Sequence, residues 1–149
     1  FGTVFREIFG GGRAELSLAD RSDVLICGIE IHVQPPGKSL KFLSLLSGGE
    51  KALVAIALYF SILRIHPAPF CVLDEIDAAL DEKNVARFAA YLSRFSDRTQ
   101  FILITHRRGT MEIAGRIYGI TMQEQGISKV IPLDMAEVEK RFMKNVEGV

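Results

Sequence analysis

Two adjacent carboxylates, Asp74 and Glu75, directly follow a short apolar run that extends from Phe70 to Leu73. Consecutive side chains of an extended segment point in different directions, so the two groups can take separate roles. Asp74 can hold Mg²⁺ through its water shell. Glu75 can orient and deprotonate a water for in-line attack on a γ-phosphate. Two exposed loop acids without a catalytic role are the alternative interpretation.

A second candidate site is the segment Ser47-Gly48-Gly49, which precedes a long helical pattern. The free N–H groups and the dipole of a helix start attract an anion, and two glycines let it approach the backbone closely. The same segment also fits a simple helix cap, because Ser47 and Glu50 form the S-x-x-E pattern of a capping box. The two interpretations are compatible.

A third candidate is His106, which follows a second apolar run at Phe101 to Ile104. A helical pattern over 81–95 separates the two apolar runs, which predicts parallel neighbouring strands joined by a right-handed crossover. Their carboxyl ends then meet at one crevice. There His106 can hydrogen-bond a γ-phosphate, whereas a histidine satisfied in the core is the alternative.

Asp81 follows the carboxylate pair on a turn of small residues and precedes the next helix. It fits a plain N-cap and equally a role across a subunit boundary. His32 and His66 have no comparable placement, and we assign them no function.

The sequence contains no phosphate-binding loop of the form G-x-x-x-x-G-K-[ST]. Gly37-Lys38-Ser39 matches the end of this pattern, but His32 stands where the first glycine is needed. Pro35-Pro36 lies inside the would-be loop, and no helix start follows it. We therefore predict a proline-fixed turn after a strand, and a chain without its own phosphate cradle.

Length and composition indicate one globular domain over residues 1–149, with 48% hydrophobic and 24% charged residues, and the strand–helix–strand pattern makes its class α/β. Eighteen basic residues balance eighteen acidic ones, which argues against autonomous binding to DNA or an anionic membrane. Cys27 and Cys71 lie in apolar runs and suit a reducing interior. The longest apolar stretch, Ala52 to Leu63, is too short to span a bilayer, so we expect no membrane partner and a cytoplasmic location.

The expected fold is a mainly parallel sheet flanked by helices, with some antiparallel strands. Residues 1–9 form an amphipathic helix whose pattern begins without a cap, so we expect it to continue upstream. The apolar run from Phe70 to Leu73 should be a central strand covered on both faces. We expect strands near 13–19, 29–33, 70–73, 101–104, 117–121 and 129–132, and helices near 50–64, 81–95, 110–114 and 134–146.

Four motifs together resemble those of the ABC ATPases. Leu46 to Glu50 resembles their signature motif, and Phe70 to Glu75 resembles their Walker B strand with its catalytic glutamate. Asp77 to Asp81 resembles their D-loop, and Thr105-His106 their switch histidine. The finer sequence is similar to the C-terminal head segment of bacterial SMC chromosome-partition proteins, and this similarity rests on 34–38, 67–75, 77–85, 100–106 and 118–122.

This resemblance implies a half-site that functions only with partners. The P-loop and Q-loop would lie in an N-terminal segment beyond a long coiled coil, and residues 1–9 would be the root of that coil. Two heads would sandwich two ATP molecules. Asp74 would serve Mg²⁺, Glu75 the attacking water and His106 the γ-phosphate. The cofactor-binding residues would be Leu46, Ser47, Gly48, Gly49, Glu50 and Asp81, with Ser47, Gly48 and Gly49 on ATP held by the opposite head.

Further partners implied by the resemblance are a kleisin subunit and, in the full complex, chromosomal DNA of the nucleoid. Two other functions stay open from the sequence alone. One is another ABC ATPase, either a coiled-coil DNA-repair protein or a transporter subunit. The other is a non-catalytic module that binds a partner and keeps only the fold.

Overall fold

The protein is described here by a computed structural model, which covers residues 1–20, 22–39 and 41–133. The chain forms two compact units, Phe1–Thr110 and a second that begins at Met111. The mixed α/β class expected from the sequence is confirmed. The elements are α1 (Gly2–Phe9), β1 (Arg13–Leu18), β2 (Ile29–Gln34), β3 (Lys41–Phe42), a 3₁₀ turn (Leu43–Leu45), α2 (Gly48–Ile65), β4 (Phe70–Asp74), α3 (Glu82–Phe95), β5 (Gln100–Ile104), α4 (Arg108–Met111), β6 (Ile117–Glu124) and β7 (Ile127–Leu133).

Helix α1 and a small antiparallel sheet open the first unit. The predicted apolar face of α1 is buried, and Gly10 ends the helix in a left-handed conformation with φ 72°. Strand β2 pairs antiparallel with β1 on one side and with β3 on the other, so the strands expected near 13–19 and 29–33 are confirmed. After β2, the Lys38 N–H donates to the Pro35 carbonyl at 3.1 Å, and Gly37 has φ 75°. The predicted proline-fixed turn is thus present.

The core of the first unit lies between helices α1, α2 and α3 and one face of the β4–β5 sheet. Phe60 of α2 is fully buried. Its ring contacts the rings of Phe88, Tyr91, Phe95 and Phe101 at centroid distances of 5.2 to 6.3 Å. These contacts join α2, α3 and β5, and therefore hold the parallel sheet against the two long helices.

Strands β4 and β5 are parallel neighbours, as predicted, and α3 connects them. Cys71 and Leu73 are buried on the helix-covered face, whereas Phe70 is 57% and Val72 52% exposed on the other. The expectation that this strand is covered on both faces is therefore wrong for the described residues. An apolar strand can be covered on both of its faces, but its composition does not show whether a second layer of helices or strands is present.

The expectation of a mainly parallel sheet is also wrong for the described residues. Of their four strand pairings, only β4–β5 is parallel. Parallel pairing needs a long crossover, which α3 provides only between β4 and β5. The other pairs are joined by shorter connections, which favour antiparallel strands.

The described part of the second unit is chiefly the β6–β7 hairpin. Glu124 pairs with Ile127 across a two-residue turn in which Gly126 has φ 83°. The two predicted strands are confirmed, whereas the short helix expected near 110–114 lies earlier, at Arg108–Met111. The helix predicted over 134–146 lies outside the described residues. The prediction of one domain over 1–149, with a coiled-coil root at 1–9, stays a prediction.

Within the described residues, no helix has the length and apolar character needed to cross a membrane.

We predict that Phe60→Ala lowers the free energy of unfolding by about 3–5 kcal/mol, because it leaves a cavity among four aromatic rings. Phe70→Ala is the matched control, since its ring is largely exposed and its loss should cost much less. Urea unfolding followed by circular dichroism measures both. Equal losses in the two variants would contradict this description of the core.

Candidate functional site

Glu75 and His106 lie together at the carboxyl ends of β4 and β5. Asp74, the last residue of β4, is opposite Ile104, the last residue of β5. One residue further, the Glu75 N–H donates to the Ile104 carbonyl at 2.9 Å. The His106 Nδ1 is 3.9 Å from the Glu75 Oε1, and both side chains are more than 60% exposed. The parallel register therefore places the proposed base and the proposed phosphate sensor at one sheet edge.

The backbone of Glu75 has φ 46°, the only positive value at a non-glycine position in the described chain. A left-handed glutamate costs conformational energy and persists when its surroundings hold it there. Here the hydrogen bond to Ile104 on one side and one from the Ala78 N–H to the Glu75 carbonyl on the other hold it. The chain thus turns sharply at Glu75, so its carboxylate departs from the strand direction that Asp74 follows.

The Glu75–His106 pair is exposed, so it contributes little to stability and stays accessible to a ligand. A carboxylate here can accept a proton from a water, and an imidazole can donate to a phosphate oxygen. Asp74 is exposed at the same strand end. The described residues contain no cluster of three or more His, Cys, Asp or Glu that could enclose a metal. One carboxylate does fit Mg²⁺ that keeps its waters and binds substrate phosphates.

The start of α2 forms the capping box that the sequence predicts. The Ser47 Oγ accepts from the Glu50 N–H at 3.3 Å, and the Ser47 N–H donates to the Glu50 Oε2 at 3.2 Å. Leu46 is buried just before this cap. Gly48 and Gly49 are the first two residues of α2, so their N–H groups have no acceptor within the helix. These two groups are therefore available to an anion.

The two glycines differ in what surrounds them. A side chain at Gly48 would meet no atom within 4 Å, whereas one at Gly49 would lie 3.2 Å from the Ala79 carbonyl oxygen. Gly48 thus leaves open space in front of the helix start. Gly49 instead allows close contact between α2 and the loop that connects β4 to α3.

Lys38 is a site residue that sequence reasoning did not identify. Its Nζ lies 2.7 Å from the Glu50 Oε1, while the Glu50 Oε2 accepts from Ser47. The hydrogen bond from Lys38, assisted by those from Ser47, lowers the pKa of Glu50 below its ordinary value of 4.5. A carboxylate at this helix start would repel an anion, and Lys38 offsets its charge. Lys38 and Glu50 are twelve positions apart, so no local pattern indicates the pair.

Asp81 is the N-cap of α3, and its carboxylate accepts from the Asn84 N–H at 2.8 Å. The capping role is therefore confirmed, and a role across a subunit boundary stays a prediction. His32 contacts Ser17 and Glu30 on the antiparallel sheet, and His66 is exposed at the end of α2. Neither lies on the β4–β5 edge.

A buried polar group behind the exposed pair was also missed. Asp77 is 1% exposed and accepts hydrogen bonds from the hydroxyls of Thr105 and Thr110. The Arg107 Nη2 donates to the Ala78 carbonyl at 2.7 Å. These bonds join the loop after β4 to the segment after β5. The sequence shows only one more acid in an acidic loop.

Comparison with known proteins gives consistent matches. A family model described as the RecF/RecN/SMC N terminal domain matches residues 21–129. The chromosome partition protein Smc of Bacillus subtilis (strain 168) is 63% identical over 140 residues, which are 94% of this chain and 12% of that protein. The chain thus spans only about an eighth of that relative.

Two solved structures are similar to the whole chain. One, from work on ATP-driven dimerization and DNA stimulated activation of SMC ATPases, has a TM-score of 0.85 and 38% identity, and covers 99% of this chain and 89% of that one. The other is an Smc head bound to the C-winged helix domain of ScpA, with a TM-score of 0.80 and 42% identity over 93% of this chain and 42% of that one.

We predict that Glu50→Gln lowers the free energy of unfolding at neutral pH by about 0.3–1 kcal/mol, because it removes a negative charge from a helix start. Since folding lowers the pKa of Glu50, its contribution is present above pH 4.5 and is lost as the pH falls through the folded-state value. The difference between wild type and variant should therefore shrink on acidification.

Urea unfolding between pH 3 and pH 7 measures this effect. Lys38→Met should lose a similar amount, and the double variant should lose less than the sum, since both changes break the same ion pair. Strict additivity would contradict the coupling between Lys38 and Glu50.

Proposed function

This chain belongs to the RecF/RecN/SMC family, and we propose that it forms the C-terminal half of an SMC head ATPase. Its relatives include Smc proteins, and its structural neighbours include an Smc head. In this role it supplies the signature motif, the Walker B strand, the D-loop and the switch histidine for ATP-dependent head engagement in chromosome condensation and segregation. The observation that carries the proposal is the meeting of Glu75 and His106, 3.9 Å apart, at the carboxyl ends of parallel strands.

The assignment to the C-terminal half rests on the residues themselves. The matching family model is named for an N-terminal domain, and the relatives are about eight times longer than this chain. Residues 21–129 nevertheless contain the S-G-G-E segment, the carboxylate pair and the histidine, without a phosphate-binding loop. In an ATPase that divides its site between two segments, this content belongs to the half that does not hold the P-loop.

The exposed face of the β4–β5 sheet supports docking of a further segment. Phe70, Val72, Ile102 and Ile104 are each 48% to 57% exposed on that face. Asp74 is two residues after Val72 in β4, so its carboxylate lies on the same face. A P-loop-bearing segment that covers the face would bury these side chains and bring phosphates to Asp74. The apolar surface and the metal-binding carboxylate would then serve one partner.

Within a complete site, Asp74 would hold Mg²⁺, and the ion would supply neutralisation of phosphate charge. Glu75 accepts the proton of the attacking water, and His106 donates to the γ-phosphate. The γ-phosphate of ATP held by a second head binds to Ser47 and to the N–H groups of Gly48 and Gly49. Lys38 neutralises Glu50 at this helix start, so that Glu50 does not repel the phosphate. Leu46 anchors this segment, and Asp81 meets the facing head beside it.

The wider assembly follows from the same proposal. A second copy of the head completes the two ATP sites. A related Smc head binds the winged helix domain of ScpA, and we assign a kleisin partner of that kind to this head. The zero net charge of the chain suits DNA contact through the assembled complex rather than through this segment alone. The place of action would be the cytoplasmic nucleoid.

We predict that this chain alone hydrolyses no ATP, and that a complex with the matching P-loop-bearing segment does. Phosphate release measures turnover, and co-purification measures the complex. Glu75→Gln in the complex should lower kcat by about 10²-fold or more, because it removes the general base, while nucleotide binding persists. Turnover by the isolated chain, or full turnover by Glu75→Gln, would contradict the half-site.

Variants at Val72 test whether the exposed face of the β4–β5 sheet is the docking face for the P-loop-bearing segment. Val72→Asp places a charge on the exposed face and should prevent co-purification with the P-loop-bearing segment. Val72→Thr keeps the shape and the strand propensity, and should bind as the wild type does. A complex that tolerates Val72→Asp would refute this docking face while leaving the roles of Glu75 and His106 open to the turnover assay.

We also predict that Ser47→Arg blocks ATP-dependent head dimerisation but permits ATP binding within the head. The added side chain fills the space through which the facing nucleotide approaches Gly48. Ser93→Arg, an exposed change on α3, is the matched control. Light scattering with Glu75→Gln heads and ATP measures dimers. Dimers that survive Ser47→Arg would remove the cross-subunit role.

A further inference from the structure

The side chain of Asp77 is buried in the loop that follows Glu75. It is 1% exposed, and its Oδ2 accepts from the Thr105 Oγ1 at 2.7 Å and from the Thr110 hydroxyl. Its Oδ1 has no hydrogen-bond partner within the described residues. A carboxylate in such a position costs stability, because burial removes its water without replacing every hydrogen bond. Replacing Asp77 and both threonines by apolar side chains of the same shape can be nearly neutral for stability, so burial alone does not require an acid here.

The groups that Asp77 holds are those that carry the proposed chemistry. Thr105 directly precedes His106, and its hydroxyl oxygen also accepts from the Arg107 N–H at 2.9 Å. Thr110, itself 1% exposed, lies in α4 and fixes the far end of the same segment. One carboxylate oxygen therefore holds both sides of the histidine.

A second bond ties the same segment to the loop after β4. The Arg107 Nη2 donates to the Ala78 carbonyl at 2.7 Å, while the Arg107 Nε is buried without a partner among the described residues. The Leu80 N–H donates to the Asp77 carbonyl, and the Ala78 N–H to that of Glu75. The turn from Glu75 to Asp81 is therefore bonded to the segment that follows β5 through Arg107.

We propose that Asp77 is a positioning residue for ATP hydrolysis: its carboxylate locks the segment of His106 against the turn of Glu75, so that histidine and base face the same γ-phosphate. This inference rests on the proposed function. Asp77 is 1% exposed, so it acts through the hydroxyls of Thr105 and Thr110. Arg107 extends the lock to Ala78 and thus to the loop that ends at Asp81.

The expected kinetic effect follows from this geometry. Glu75 and His106 are both more than 60% exposed, and the 3.9 Å contact between them restrains their relative position only weakly. Release of the segment after β5 would move His106 with respect to Glu75, and a displacement of about 1 Å can cost about 10²-fold in rate. Nucleotide affinity should change little, because the phosphate cradle lies on the other segment. A fall in kcat at unchanged KM is the signature of a positioning role.

The test uses the complex of this chain with its P-loop-bearing segment. Thr110→Val removes one hydroxyl from Asp77 and keeps the side-chain shape. Thr99→Val is the matched control, because Thr99 is 2% exposed and its hydroxyl donates to the Ala68 carbonyl at the opposite end of β5. Both variants lose one buried hydroxyl bond, and comparable melting temperatures are expected. Only Thr110→Val should lower kcat, by about tenfold, at the KM of the wild type.

Asp77→Ala should lower kcat further, and Asp77→Asn should restore most of the loss, since its amide oxygen still accepts from both hydroxyls. If Asp77→Ala fails to fold, Thr110→Val decides alone. Equal kcat values for Thr110→Val and Thr99→Val overturn the positioning role while leaving the proposed function intact. A wild-type complex without turnover instead refutes the proposed function, and the positioning role falls with it.

Discussion

The parallel register between β4 and β5 is the constraint on which the rest of the site depends. It places Asp74 opposite Ile104 and continues into the bond from the Glu75 N–H to the Ile104 carbonyl. Because both strands run in the same direction, the loops that follow them leave the sheet at one edge. A shift by one residue would turn the apolar face of each strand over, so the burial of Cys71 and Leu73 also fixes where the carboxylates lie.

Two kinds of polar group lie near this sheet edge, and they differ in whether they are exposed or buried. Glu75 and His106 are exposed and weakly paired, which suits groups that must receive a ligand. Asp77 and Thr110 are buried and bonded to each other, which suits groups that must not move. The helix start at Ser47 combines both functions, since its capping box satisfies part of the turn while the N–H groups of the two glycines stay available. Lys38 makes this arrangement compatible with an anion by offsetting the charge of Glu50.

Local patterns predicted most of the elements correctly, and their failures have a common cause. Capping at Ser47 and Asp81, the parallel strand pair and the proline turn all depend on neighbours in sequence or on a connection of known length. The second covered face of β4 and the mainly parallel sheet depend on layers that composition does not supply, and both expectations are wrong for the described residues. The helix expected near 110–114 lies at Arg108–Met111, within the segment that the bonds of Thr105 and Thr110 connect to Asp77.

By itself, the sequence determined which groups could do chemistry: the carboxylate pair, the serine and glycines at a helix start, and the histidine after a second strand. Spacing and apolar periodicity carry this information, because they act over a few residues. Only the tertiary structure decided that Lys38 neutralises Glu50, that Asp77 is bonded to Thr105 and Thr110, and that Glu75 and His106 are 3.9 Å apart. Those relations join residues 12 to 33 positions apart, and packing of the helices on the sheet sets them rather than any local preference.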